Sequence, residues 1–147
     1  MPKHLRVLMV EDSQDDAQLI LHALAGAGFD LEHQVVQRGS DFMAALQAQE
    51  WDLVLSDFSM PEYSGADAYL ALRESGIDVP FIFVSGHIGE ERAAELMKLG
   101  ASDYVLKDNL ARLVPAVLRE LRESAARRQH QVLADQLVRA EAGFKRL

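Results

Sequence analysis

The chain reads as an α/β domain: a doubly wound, five-stranded parallel sheet with helices on both faces and an extended C-terminal helix. Three observations predict this. Five strand-length apolar runs recur at fairly even spacing, segments of helical period lie between them, and glycines stand where those helices should stop. Strands that alternate with helices imply a parallel sheet covered on both faces.

The runs are RVLMV (6–10), HQVVQ (33–37), DLVLS (52–56), FIFVS (81–85) and DYVLK (103–107). The first, third and fourth are continuously apolar, as central strands should be. The second carries His33, Gln34 and Gln37 and reads as an edge, which fits the strand order 2-1-3-4-5. Between the runs, Leu19, Ile20, Ala23 and Leu24 make one apolar stripe, and Phe42, Ala45 and Leu46 a second. Tyr69, Leu70 and Leu72 make a third, Ala93, Leu96 and Met97 a fourth, and Leu110, Val114, Val117, Leu118 and Leu121 a fifth. Gly28, Gly76 and Gly100 fall at the expected helix ends, with Gly26 nearby, and Ser13-x-x-Asp16 reads as a capping box opening the first helix.

From about residue 119 no strand run or proline appears. Leu118, Leu121, Ala125, Leu133, Leu137, Ala140, Phe144 and Leu147 follow at mostly threes and fours, an imperfect coiled-coil seam with Gln129 in its gap. The expected organisation is one globular body over residues 1–123 and a helical extension over 124–147.

Composition bounds the function. At 147 residues the chain suits one domain, and 49% hydrophobic content without a long apolar run excludes a membrane helix. The absence of cysteine excludes disulfides and thiolate metal sites. The N-terminus, charged by Glu11, lacks the apolar stretch of a signal peptide, so a cytoplasmic location is expected. Residues 1–109 hold 7 basic and 19 acidic side chains, whereas residues 110–147 hold 8 and 4. The acidic body argues against nucleic acid as a direct partner, and the tail arginines read as a solvated helix face.

In an open parallel sheet the crevice lies beyond the carboxyl ends of the strands, where strand order reverses. Strand 1 ends in Glu11-Asp12, strand 3 in Asp57, strand 4 at Ser85 and strand 5 at Lys107. Taken singly, each has an ordinary reading. Asp12 could cap the first helix, with Glu11 and Asp16 at its dipole. Asp57 could be a loop acid before Met60-Pro61, Ser85 a turn former, Lys107 a solvated amine and Tyr104 a core aromatic. Jointly they are too coherent for that. Two carboxylates about 4 Å apart repel by ~4 kcal/mol at an effective dielectric of ~20, so three call for a cation. An all-oxygen donor set favours Mg²⁺ or Mn²⁺. A metal-bound aspartate facing a lysine and a hydroxyl is placed to receive a phosphoryl group.

These residues resemble the receiver domain of two-component response regulators, which has a flavodoxin-like fold. The matching features are Glu11-Asp12, the block Asp57-x-x-Met60-Pro61-x-x-Ser64-Gly65, Ser85, Tyr104, Lys107, and the lead Gly100-Ala101-Ser102-Asp103 into the fifth strand. The resemblance spans about residues 5–122. It implies that Asp57 accepts a phosphoryl group from a histidine kinase or histidine phosphotransfer protein. It implies Mg²⁺ on Asp12, Asp57 and the backbone carbonyl of Ser59, with Glu11 acting largely through water. Lys107 and Ser85 would hold phosphoryl oxygens, and Tyr104 would move into the space that Ser85 vacates. The domain would catalyse only its own phosphorylation and dephosphorylation.

Two positions depart from the family pattern. Asp108 follows Lys107 where proline, often after a cis bond, is common; without proline a cis bond costs ~3–4 kcal/mol. Gly86-His87 follows Ser85 where alanine is usual, so that loop should be mobile, and His87 either tunes phosphoryl lifetime or is simply solvated. The ending Glu141–Leu147 resembles the lead into a PAS sensory domain, which implies a further module, with the helix a candidate homodimer contact. A flavodoxin-like cofactor binder would need a phosphate-cradling loop where EDSQDD stands, and a haloacid-dehalogenase-type phosphatase would need an acid at Ser59. A receiver that works by interaction alone, without phosphorylation, is the remaining alternative.

Overall fold

A computed structural model describes residues 3–145 apart from Glu62 and residues 87–89. The expected alternation holds throughout. The strands are β1 (Lys3–Val10), β2 (Phe29–Val36), β3 (Leu53–Ser56), β4 (Phe81–Ser85) and β5 (Asp103–Leu106). They form one parallel sheet in the order β2-β1-β3-β4-β5. The helices are α1 (Gln14–Gly26), α2 (Gly39–Ala48), α3 (Gly65–Ser75), α4 (Glu90–Leu99) and α5 (Leu113–Lys145), the last preceded by a 3₁₀ turn at Leu110–Arg112.

Because side chains alternate across each strand, the sheet sorts its apolar residues into two cores. One face packs Val7, Met9, Leu55 and Val105 against Ile20 and Leu24 of α1 and Val117 of α5. The other packs Leu8, Val54, Phe81 and Phe83 against Phe42 of α2 and Tyr69 and Leu72 of α3. Edge-on contacts between Phe81 and both Phe83 and Tyr69, at 4.9 and 5.3 Å between ring centres, stiffen this second core.

Helix ends follow local chemistry. The Ser13 hydroxyl accepts from the Asp16 amide at 3.2 Å, and Ser64 caps α3 in the same way through Asp67 at 3.1 Å. Gly76 ends α3 with φ +75°, a left-handed turn that side chains disfavour.

Several expectations need correction. β1 and β2 are three and four residues longer at their N-terminal ends than the apolar runs, because their ladder continues to Lys3 opposite Phe29. Those added rungs alternate buried Leu5 and Phe29 with exposed His4, Asp30 and Glu32, so no continuous apolar run marks them. Leu19, Leu70 and Met97, read as parts of apolar stripes, are exposed at 58%, 44% and 43%; each helix buries a narrower face centred on its neighbours. Leu118 is likewise exposed. The side chains of Ala93 and Phe144, and all of Leu147, lie outside the described residues.

The fifth helix runs unbroken through Gln129 for 33 residues, about 50 Å at 1.5 Å per residue. Pro115 falls in its first turn, where no helical amide is lost. An ion pair from Arg127 to Asp78, at 3.3 Å, ties the helix to the body. Beyond it Val132, Leu133, Leu137 and Val138 are all more than half exposed. No helix among the described residues is long and apolar enough to cross a membrane.

Candidate functional site: an acidic rim with one lysine

Hydrogen bonding continues one residue past the strand ends. The Asp57 amide donates to Val10 O at 2.9 Å and the Glu11 amide to Val36 O at 3.0 Å. On the other side of the sheet, the Lys107 amide donates to Ser85 O at 2.7 Å. Each residue just beyond its strand is therefore held as firmly as the strand itself, at the edge where strand order reverses between β1 and β3.

The loop after Asp57 is closed from behind by Gly65, whose amide donates to Phe58 O at 3.0 Å. A Cβ at Gly65 would lie 2.3 Å from Asp57 O, 2.8 Å from the Phe83 ring and 2.9 Å from Phe58 Cα. Only glycine allows α3 to start this close to the Asp57 backbone. The Ser59 amide donates to Asp57 Oδ1 at 3.4 Å, and the Ser56 hydroxyl to Asp57 O at 2.8 Å.

Glu11, Asp12 and Asp57 each offer a carboxylate oxygen, all within 4.8 Å of one another. Glu11 and Asp57 are buried, whereas Asp12 is exposed. Lys107 Nζ reaches Glu11 Oε1 at 2.7 Å, Asp16 Oδ2 at 2.8 Å and Asp57 Oδ2 at 3.1 Å. Glu11 Oε2, fully buried, has no hydrogen-bond partner among the described residues. Burial, with the charge of Asp57, pushes the Glu11 carboxyl up to about 7 despite its bond to Lys107. Burial by itself would lower the Lys107 ammonium, but its bonds to Asp16, Glu11 and Asp57 outweigh this and hold it above the ordinary lysine range.

These are the features a hard divalent cation would relieve. A buried, unpartnered carboxylate oxygen belongs to one of the three clustered acids, and a single ammonium faces three carboxylates. The residues fit Mg²⁺.

Ser85 ends β4, 2% exposed. Tyr104 pairs with Phe83 across β4–β5, which places Tyr104 and Ser85 on the same sheet face. The Tyr104 ring is partly buried against the aromatic core, with the Arg112 guanidinium 6.0 Å from its centre. All peptide bonds among the described residues are trans, Lys107–Asp108 included. His87 lies outside the described residues.

Thus Glu11, Asp12, Asp57 and Lys107 come together, while Ser85 and Tyr104 lie on β4 and β5 and share one sheet face. The contact that sequence reading missed is Asp16, taken only as a helix-start acid. Its signal was faint: one helical turn beyond Asp12, it is carried back over the strand ends by α1.

Comparison with known proteins agrees with this fold. The LuxO regulatory protein of Vibrio cholerae is 33% identical over 99 residues, covering 67% of this chain and 21% of LuxO. The transcriptional regulatory protein PcoR of Escherichia coli is 30% identical over 125 residues, covering 82% of this chain and 54% of PcoR. The chain therefore spans about a fifth to a half of the length of these relatives. Among solved structures, the signal receiver domain of a LuxO repressor protein from Vibrio parahaemolyticus superposes with a TM-score of 0.75 at 27% identity. It covers 86% of this chain and 96% of that one. The N-terminal domain of a response regulator/sensory box/GGDEF protein from Carboxydothermus hydrogenoformans gives 0.69 at 25% identity, over 83% and 98%. Residues 7–118 match the response regulator receiver domain family, so the acidic rim, its lysine and the 2-1-3-4-5 sheet belong to a receiver domain of two-component signalling.

Proposed function

We propose that the chain is a phosphoacceptor receiver in which Asp57 takes a phosphoryl group from the phosphohistidine of a histidine kinase or phosphotransfer protein. An Asp57 carboxylate oxygen attacks phosphorus, an O–P bond forms, and the N–P bond breaks with its electron pair going to the departing imidazole. The observation that carries this reading is the convergence of Lys107 on Asp57, Glu11 and Asp16, beside a buried and unpartnered Glu11 oxygen.

Asp12, Asp57 and the Ser59 carbonyl would hold Mg²⁺ (or Mn²⁺), with Glu11 acting largely through water. When bound, the cation neutralises charge on the acids and on the transferring group. Lys107 binds one phosphoryl oxygen. The Ser85 hydroxyl, at the adjacent strand end, donates to another, and Tyr104 repacks on the face the two share. That exchange of contacts is the switch, since a modification can shift a conformational equilibrium only through differential contacts.

Beyond residue 123 the helix acts as an extension. Pairing with a second copy along Leu133, Leu137 and Ala140 would bury its exposed stripe and set two receivers side by side. This domain function fits a cytoplasmic protein without direct nucleic-acid contact. Phosphorylation-independent interaction is the alternative reading, and the intact acid–lysine set weighs against it.

Intact-mass measurement with Mg²⁺ and acetyl phosphate tests the reading. Wild type should gain ~80 Da and Asp57→Asn should not. An undiminished gain in Asp57→Asn places the acceptor elsewhere, and no gain in wild type favours the interaction-only alternative.

A further inference from the structure

An ammonium has three N–H donors. In Lys107 all three have carboxylate partners: Glu11, Asp16 and Asp57, at 2.7, 2.8 and 3.1 Å. Lys107 therefore has no donor to spare for a phosphoryl oxygen until one of these bonds is surrendered. The three acids differ in what surrender costs. Glu11 is 1% exposed and already has one unpartnered oxygen, so losing Lys107 would strand a buried carboxylate. Asp57 is 8% exposed and is the group that carries the phosphoryl. Asp16 is 37% exposed, so water can replace Lys107 there at little cost. Its position is nonetheless firm, because its amide is bonded to Ser13 Oγ in the first turn of α1.

From this we infer that Asp16 is a placeholder: it occupies the Lys107 donor that the phosphoryl group later takes. Asp16 is thus a positioning residue that acts through Lys107 and opposes phosphoryl binding. The inference rests on the proposed role of Asp57. It assigns Asp16 a task that neither helix capping nor the first-turn dipole requires, and it gives this receiver an adjustable resistance to phosphorylation. Exchange of Asp16 for the phosphoryl group also releases a carboxylate at the start of α1.

Beryllofluoride, formed from beryllium and fluoride in the presence of Mg²⁺, is the probe, as a stable anion that mimics a phosphoryl group on a carboxylate. Titrated into the full chain, it should bind Asp16→Asn about two- to fivefold tighter than wild type, the range of one partly exposed ion pair. The control is Asp15→Asn, which removes the same charge from the same helical turn but makes no bond to Lys107; it should match wild type. The gain should vanish when Asp16→Asn is combined with Lys107→Ala, and the Lys107 side-chain ammonium resonance should shift in Asp16→Asn without probe. A merely structural Asp16 predicts neither. Equal affinities for wild type, Asp15→Asn and Asp16→Asn overturn the inference, as does weaker binding by Asp16→Asn. If wild type itself binds no beryllofluoride, the phosphoacceptor reading fails first, and the inference falls with it.

Discussion

Lys107 Nζ lies 3.1 Å from Asp57 Oδ2, reaching past the whole of β4 to do so. Alternate strands are about 9.5 Å apart, so only a long, extended side chain can bridge them. Both residues sit one position beyond their strands and are pinned by backbone bonds to Val10 and Ser85. The bridge is therefore set by sheet register as well as by charge.

Removing that ammonium should expose the mutual repulsion of the acids. Without divalent cation, Lys107→Ala should unfold in urea with a stability loss of about 2–3 kcal/mol, since Lys107 is largely buried among three carboxylates. Saturating Mg²⁺ should recover a large part of this loss, and EDTA should restore it. Equal stability of wild type and variant in EDTA would show that Lys107 does not hold the cluster together.

Gly65→Ala tests the close approach of α3 to Asp57. The new methyl would stand 2.3 Å from Asp57 O, against backbone that cannot swing aside as a flexible side chain would. A loss of about 1–3 kcal/mol is expected, together with slower labelling by acetyl phosphate as Asp57 is pushed out of line. Thermal unfolding and mass-resolved labelling rates measure the two effects. Wild-type behaviour in both would mean that the loop yields freely.

A pH effect should arise away from the acidic rim. Glu120 on α5 is buried at 4% exposure. Burial, and then the neighbouring Glu123 charge, raise its carboxyl above 4.5, while Arg119 and Ser102 oppose the rise. The buried Asp103 alongside is bonded to both Arg112 and Arg119. A raised carboxyl favours the folded state while protonated, so this contribution is fully present below about 4.5 and is lost as pH rises through the folded value. Urea midpoints measured upward from pH 4.5 should fall less steeply in Glu120→Gln than in wild type. Parallel curves would remove Glu120 as a source of pH dependence.

The distal half of α5 should govern association. Sedimentation of the full chain should show a concentration-dependent dimer of moderate affinity, whereas a chain ending at Arg128 should remain monomeric. That truncation keeps the Arg127–Asp78 tie and removes Leu133 and Leu137. Two monomers at tens of micromolar would make the extension a linker.

Much of this protein could be read before its structure. The central strands declare themselves because β3 and β4 are buried on both faces, so every residue from Leu53 to Ser56 and from Phe81 to Ser85 must suit the interior. The helix ends are written in Ser13 and Gly76, since capping is local chemistry within a few residues. The acids at strand ends were legible once the strand order was inferred, because parallel topology sends all carboxyl ends to one rim. The limits of β1 and β2 were not, since their outer rungs alternate buried Leu5 and Phe29 with exposed His4, Asp30 and Glu32, which breaks the continuous apolar run that marked the central strands. The exposure of Leu19, Leu70 and Met97 was also hidden, because periodicity shows that a helix has a buried face without fixing its width. The role of Asp16 belongs to tertiary structure alone. Asp16 and Lys107 are separated by 91 positions, and no local pattern encodes their meeting. It depends on α1 packing over the end of the sheet and on a lysine long enough to cross β4, where the low cost of solvating Asp16 makes it the bond most readily exchanged.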